Sequence, residues 1–123
     1  MNALSKMIEA AAGGVILDLQ MVRPDPFIEL DGEAVARIDA SSLFEWADAA
    51  TAAVDARIAA GDLVEEAVDD HDVLKHYADG RELIDEVAQS RRTLPQEFVP
   101  VLEAITRPLV VRERCRLRRL RVR

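Results

Sequence analysis

The sequence predicts a small α+β domain. It expects an N-terminal helix, a sheet containing a β-hairpin, a central helical block, and a basic C-terminal strand that returns to the sheet. Three observations predict it. Residues 15–22 alternate, with Val15, Leu17, Leu19 and Met21 against Ile16, Asp18, Gln20 and Val22, the period of a half-buried strand. Asp31-Gly32 lies between two further strand-like runs, and this pair suits a type I′ turn because both central residues need positive φ. Residues 109–122 alternate again at the far end of the chain, after a stretch of helical patterning.

In chain order, Leu4, Met7, Ile8 and Ala11 share one face of a helix over residues 2–12, which Gly13-Gly14 stops. The strand over 15–22 ends at Arg23-Pro24-Asp25-Pro26, where each proline fixes φ and removes a donor. A hairpin follows over 27–39. Ser42 and Glu45 form a capping box that opens a helix running to about Ala60, with Leu43, Ala47, Ala50, Val54 and Ile58 on one stripe. Gly61 ends it, and Asp62 with Glu65 predicts a second helix carrying Val64, Val68, His71 and Leu74 up to Tyr77 and Gly80. A third helix spans Arg81 to Ser90. Pro100 belongs in the first turn of a short last helix, because a proline inside a helix costs about 3 kcal/mol. The chain thus divides into 1–40 (N-terminal helix and strands), 41–106 (acidic helical block) and 107–123 (basic segment), read as a single domain of ordinary size.

The charge is sharply divided along the chain. Residues 107–123 hold eight arginines and one acid, Glu113, for a net +7, while the remaining 106 residues hold eight basic residues and 22 acids, for a net −14. As a strand, this segment turns Leu109, Val111, Glu113, Cys115 and Leu117 to one side and Val110, Arg112, Arg114, Arg116 and Arg118 to the other. The alternation slips at Arg118-Arg119, where a bulge would keep the apolar residues on one face. Half of the residues are hydrophobic, which argues against disorder, and only five are aromatic, so the core is aliphatic. Arginine outnumbers lysine 14 to 2, a composition that fits a bacterial or bacteriophage gene. One cysteine, Cys115, rules out an internal disulfide and suits a reducing compartment. No signal peptide is visible and no run approaches the roughly 20 apolar residues of a membrane span. The expected location is the cytoplasm, or a virion assembled there, with no membrane partner.

The motifs that could carry chemistry are few. Asp72, His76 and Asp79 fall at i, i+4 and i+7, so on a helix two carboxylates and an imidazole would share a face and could hold a divalent metal. A solvated acidic helix face explains the same residues. Gly13-Gly14 lacks a phosphate-loop fingerprint, and Ser41-Ser42 fits no nucleophile motif. Cys115 shares its strand phase with Val111 and Leu117 and reads as a small core residue. Trp46 falls off the main stripe of its helix and is a candidate partner anchor. The remaining partner-binding candidates are the arginines of the basic segment: Arg112, Arg114, Arg116, Arg118, Arg119, Arg121 and Arg123. They could meet phosphates, although no aromatic residue interleaves them to stack on bases. They could equally meet carboxylates, on the chain's own acidic body or on a partner's.

The expectation is a non-enzymatic protein–protein interaction or assembly module, an adaptor or structural subunit of a larger phage or bacterial complex. It would need no cofactor and no metal, and would bind a protein partner or form a homo-oligomer. The second reading is a nucleic-acid-associated regulator, antitoxin-like, that uses the arginine-rich segment. The third is a metal-dependent enzyme.

Overall fold

A computed structural model describes residues 3–123. The elements run α1 (Ala3–Ala10), β1 (Val15–Met21), β2 (Phe27–Leu30), β3 (Glu33–Arg37), α2 (Ser41–Ala59), β4 (Leu63–Tyr77), α3 (Gly80–Ala88), a 3-10 turn (Gln96–Phe98), α4 (Val99–Glu103) and β5 (Leu109–Val122). The α+β class stands. β5 is the strand on which the others depend: β1, β2 and β4 each pair with it, and β3 joins through β2. The pairings of β5 with β1 and with β2 are antiparallel.

The chain forms two compact units. The first takes the N-terminal stretch through Val22, residues 46–71 and residues 115–123. In it β1 pairs with the C-terminal part of β5, from Met21↔Cys115 to Val15↔Arg121. Its core is Ile16, Val54, Leu63, Leu120 and Val122, with Leu4, Ile8 and Ile58 packed against them. The second takes residues 23–45 and 72–114. There the β2–β3 hairpin pairs with the N-terminal part of β5 through Ile28↔Val111, and Ile28, Ile38, Tyr77, Leu83, Leu102, Leu109 and Val111 make the core.

β5 meets both cores by changing the positions it buries. Leu109, Val111, Glu113 and Cys115 are buried at odd positions, whereas Arg118, Leu120 and Val122 are buried at even ones. The bulge expected at Arg118-Arg119 is not formed towards β1, because that register runs without a shift from Cys115 to Arg121. The strand instead exchanges its buried side, and an arginine takes one of the inward positions.

The main departure from the sequence reading is β4. Residues 63–77 form a long strand where a helix is expected. A helix would set Glu65 beside Asp69 and Glu66 beside Asp70, like charges four residues apart that destabilise a helix. As a strand, the segment can offer its acids to the arginines of β5. Asp62 does not cap it. The Asp62 carboxylate accepts from Arg57 Nη1 at 2.8 Å instead. The next helix is capped by Asp79, whose side chain accepts from Glu82 N at 2.9 Å while Glu82 Oε2 accepts from Ala78 N at 3.0 Å. This reciprocal arrangement satisfies two donors at the helix start. Gly80, the first residue of α3, packs so tightly that an added Cβ would sit 1.8 Å from the Leu102 carbonyl oxygen.

The start of α2 also moves. The helix begins at Ser41, and Asp39 Oδ1 accepts from Ser41 N at 2.9 Å and from Ser41 Oγ at 2.5 Å. Asp39, not Ser42, supplies the oxygen at this terminus. The Ser41 hydroxyl, then its backbone N–H, holds the Asp39 carboxyl below its ordinary value of 3.8. The hairpin is as expected, with Asp31 at φ 53° and Gly32 at φ 83°, although the β2–β3 register shifts between Ile28 and Glu29.

Two outcomes follow from these termini and turns. Gly32→Val should cost about 1–2 kcal/mol, the strain of a left-handed backbone on a β-branched residue. No atom lies within 4 Å of the added Cβ, so a urea midpoint unchanged in this variant would contradict the turn. Asp39→Ala should lower the urea midpoint while Ser42→Ala leaves it in place. Because folding depresses the Asp39 pKa, its contribution is fully present above about pH 3.8 and is lost as pH falls through the lower folded value. Equal midpoints for wild type and Asp39→Ala at pH 7 would refute the cap.

Candidate protein interface

The arginines of β5 are answered by carboxylates of the same unit. In the second unit Arg112 Nε donates to Glu29 Oε2 at 2.7 Å and Arg112 Nη1 to Asp72 Oδ2 at 3.1 Å. Arg114 Nη1 donates to the other Asp72 oxygen at 3.1 Å. The two guanidiniums, Arg114 first, hold the Asp72 carboxyl below the usual carboxylate range. Hydrogen bonds to Glu29 and Asp72 in turn raise the Arg112 pKa. In the first unit Arg116 grips Asp70 through Nε and Nη2, at 2.7 and 3.0 Å. Arg118 is the inward arginine, and its Nε donates to Glu65 Oε2 at 2.7 Å and its Nη2 to Asp55 Oδ1 at 2.9 Å. Burial works against its charge, but these two carboxylates outweigh that and raise its pKa. Arg119 and Arg121 both reach Glu66, at 3.3 and 3.8 Å. Arg123 is exposed, and its backbone N–H donates to the Asp62 carbonyl at 3.1 Å.

Glu65, Glu66, Asp70 and Asp72 all lie on β4, so most of the acids that meet the arginines come from this strand, joined by Glu29 of β2 and Asp55 of α2. The metal arrangement expected at Asp72, His76 and Asp79 does not form, because it requires a helix. Asp72 is committed to Arg112 and Arg114, His76 is an exposed strand residue, and Asp79 caps α3. Among the described residues no group of three or more His, Cys, Asp or Glu side chains is placed to hold a metal ion. His71 Nδ1 comes within 3.0 Å of Asp69 Oδ2 but is not aligned for a hydrogen bond. Cys115 is buried and forms no disulfide, and Trp46 is 60% exposed on α2.

The core of the second unit holds its own ion cluster. Glu113 lies at the odd, buried phase of β5, where its carboxylate accepts from Arg92 Nη1 and lies 3.4 Å from Lys75 Nζ. Both partners of the Arg92–Glu113 pair are buried. Nearby, burial and then a hydrogen bond with Glu86 push the Tyr77 phenol up to about 12.

The surface that sequence reasoning missed lies on β1. The strand alternates as expected, but its more apolar set faces out. Ile16 is buried and Asp18 and Gln20 are half-buried, whereas Val15, Leu17 and Leu19 are 40%, 62% and 56% exposed. Leu19 lies directly opposite Leu117 of β5, and Leu17 and Val15 lie opposite Arg119 and Arg121. Opposed residues of an antiparallel pair share a face. The outer face of the first unit therefore carries an apolar row, Val15, Leu17, Leu19 and Leu117, bordered by Arg119 and Arg121 with Glu66. β1 pairs only with β5 among the described strands, so its other flank is an open edge. Edges are normally protected by charge, and the one charged residue of β1, Asp18, is on the inward set.

Comparison with known protein families, with curated proteins and with solved structures finds no match for this chain. No helix among the described residues is long and apolar enough to cross a membrane.

The ion cluster generates a stability prediction. Removing one partner of a buried pair leaves the other charge uncompensated and costs about 3–5 kcal/mol. Glu113→Leu, which strands the buried Arg92, should fall in this range by urea denaturation, and Arg92→Leu should cost less because Lys75 Nζ remains 3.4 Å from Glu113. Arg92→Leu combined with Glu113→Leu should cost less than the sum of the two single variants, because the stranded charge is gone. Strict additivity would show that the two side chains are not coupled.

Proposed function

We propose that this chain is a non-enzymatic assembly module that associates through the outer face of its first unit. The observation that carries the reading is the inversion of β1, with Leu17 and Leu19 exposed while Asp18 and Gln20 turn inward. An apolar row with a polar rim is the composition of an interface centre. The rim carries both signs of charge, Arg119 and Arg121 against Glu66. The face is therefore compatible with a second copy of itself, as an isologous contact requires. Each arginine from Arg112 to Arg121 already has a carboxylate within the chain. That favours the apolar row over the arginines as the driving element.

The reading is tested by sedimentation equilibrium over a concentration series, at low salt and at 1 M salt. Wild-type protein should self-associate at both ionic strengths, because apolar contacts are not screened. Leu17→Glu with Leu19→Glu should be monomeric at the same concentrations with an unchanged far-ultraviolet circular dichroism spectrum. A wild-type protein that stays monomeric throughout overturns the proposal. Association that disappears at 1 M salt and survives in the double variant transfers the role to the arginine row.

A further inference from the structure

The edge of β1 offers more than its side chains. Among the described strands, β1, β3 and β4 each pair on one flank only. Charge keeps such edges from pairing with other chains. β3 is short and has Glu33 and Arg37 at its ends, and β4 carries Glu65, Glu66, Asp69, Asp70 and Asp72. β1 has no such guard, because the set Val15, Leu17, Leu19 and Met21 is uncharged.

The ladder to β5 shows which backbone groups reach the open flank. The Val122 N–H donates to the Gly14 carbonyl at 2.9 Å, one step beyond the Val15↔Arg121 pair. Gly14 and Val122 are therefore a hydrogen-bonded pair, and such pairs alternate along an antiparallel ladder. Ile16, Asp18 and Gln20 turn their N–H and C=O groups to β5. Val15, Leu17, Leu19 and Met21 turn theirs to the open flank. The residues of the apolar row thus also present the unguarded donors and acceptors.

We infer that this flank pairs antiparallel with β1 of a second copy, with Leu19 on the two-fold axis, so that one sheet runs through both first units. The inference rests on the self-association proposed above and names its contact. Residues that bond outward must face one another across the junction. A register that does this and keeps most of β1 paired has Leu17, Asp18 or Leu19 on the axis. Asp18 on the axis would set two carboxylates directly opposite each other, and like charges there are destabilising. Leu17 on the axis would set Asp18 against the buried Ile16 of the second copy. Leu19 on the axis sets Asp18 against Gln20 of the second copy, a carboxylate against an amide. The same register aligns Leu117 and Leu19 with their counterparts in one row on the outer face. The strand is its own complement, which identifies the occupant as another copy of this chain.

The test is amide hydrogen exchange on isotope-labelled full-length protein, at a concentration where sedimentation gives the monomer and at one where it gives the associated state. The amides of Ile16, Asp18 and Gln20 should be protected in both. Those of Leu17, Leu19 and Met21 should exchange freely in the monomer and roughly tenfold or more slowly on association. Association that leaves these three amides unprotected would overturn the edge pairing alone, with the apolar face still the contact. A chain that never associates would overturn the self-association reading as well. The register is checked by mild oxidation of Leu19→Cys and Leu17→Cys, each combined with Cys115→Ala. Position 19 faces its own counterpart, within disulfide reach, and should cross-link first. Position 17 lies roughly 14 Å along the strand from its counterpart, and faster cross-linking there would overturn the register.

Discussion

The structure depends on one strand that must satisfy two cores. β5 buries Leu109 and Val111 in the second unit and Leu120 and Val122 in the first. These pairs are separated by an odd number of positions, so a strand with uninterrupted alternation cannot bury both on one side. The chain answers by letting the buried side change between Cys115 and Arg118. The consequence is that a charged residue falls inside at each half: Glu113 with the odd set and Arg118 with the even set. Each is met by opposite charge, Glu113 by Arg92 and Lys75, Arg118 by Glu65 and Asp55. The strong charge division of the sequence is therefore a property of pairing within the fold. The basic strand lies beside the acidic one.

How much of this was legible in the sequence depends on which force decides each element. Local backbone chemistry reads directly. Asp31-Gly32 gave the turn, and Pro100 sits in the first turn of α4 as its missing donor requires. The strand over residues 109–122 has the predicted bounds, because arginine and aliphatic residues alternate through most of it, with one slip at Arg118-Arg119, whereas a helix would split the apolar residues into two opposite clusters. β4 is different. Val64, Val68 and His71 with Leu63, Ala67 and Leu74 fit a helical stripe as well as a strand, and only the like-charge spacing of Glu65 with Asp69 and Glu66 with Asp70 opposes the helix. What decides it is long-range: the carboxylates are needed beside Arg112 to Arg121, and that demand is invisible to a local window.

The candidate interface was hidden for a related reason. Alternation reveals that β1 has two faces, but the side on which the helices pack is set by tertiary structure. The apolar set Val15, Leu17 and Leu19 would ordinarily be assigned to the core. Here it is the outer set, and Ile16, Asp18 and Gln20 take the helix side. The metal candidates failed by inheritance: Asp72, His76 and Asp79 share a face only if the segment is helical, so one misread element removed the whole arrangement.

Cys115 sits where the odd phase of β5 gives way, opposite Met21 in the pairing with β1, and it is the chain's single cysteine. Its thiol is buried, so a bulky alkylating reagent reaches it only when β1 lifts away from β5 or the local packing opens. The molecule thus carries an internal clock for the breathing of its central strand. When reagent is in enough excess that labelling outpaces reclosing, the rate of thiol labelling reads the frequency of that opening, at a single site, with no engineered probe.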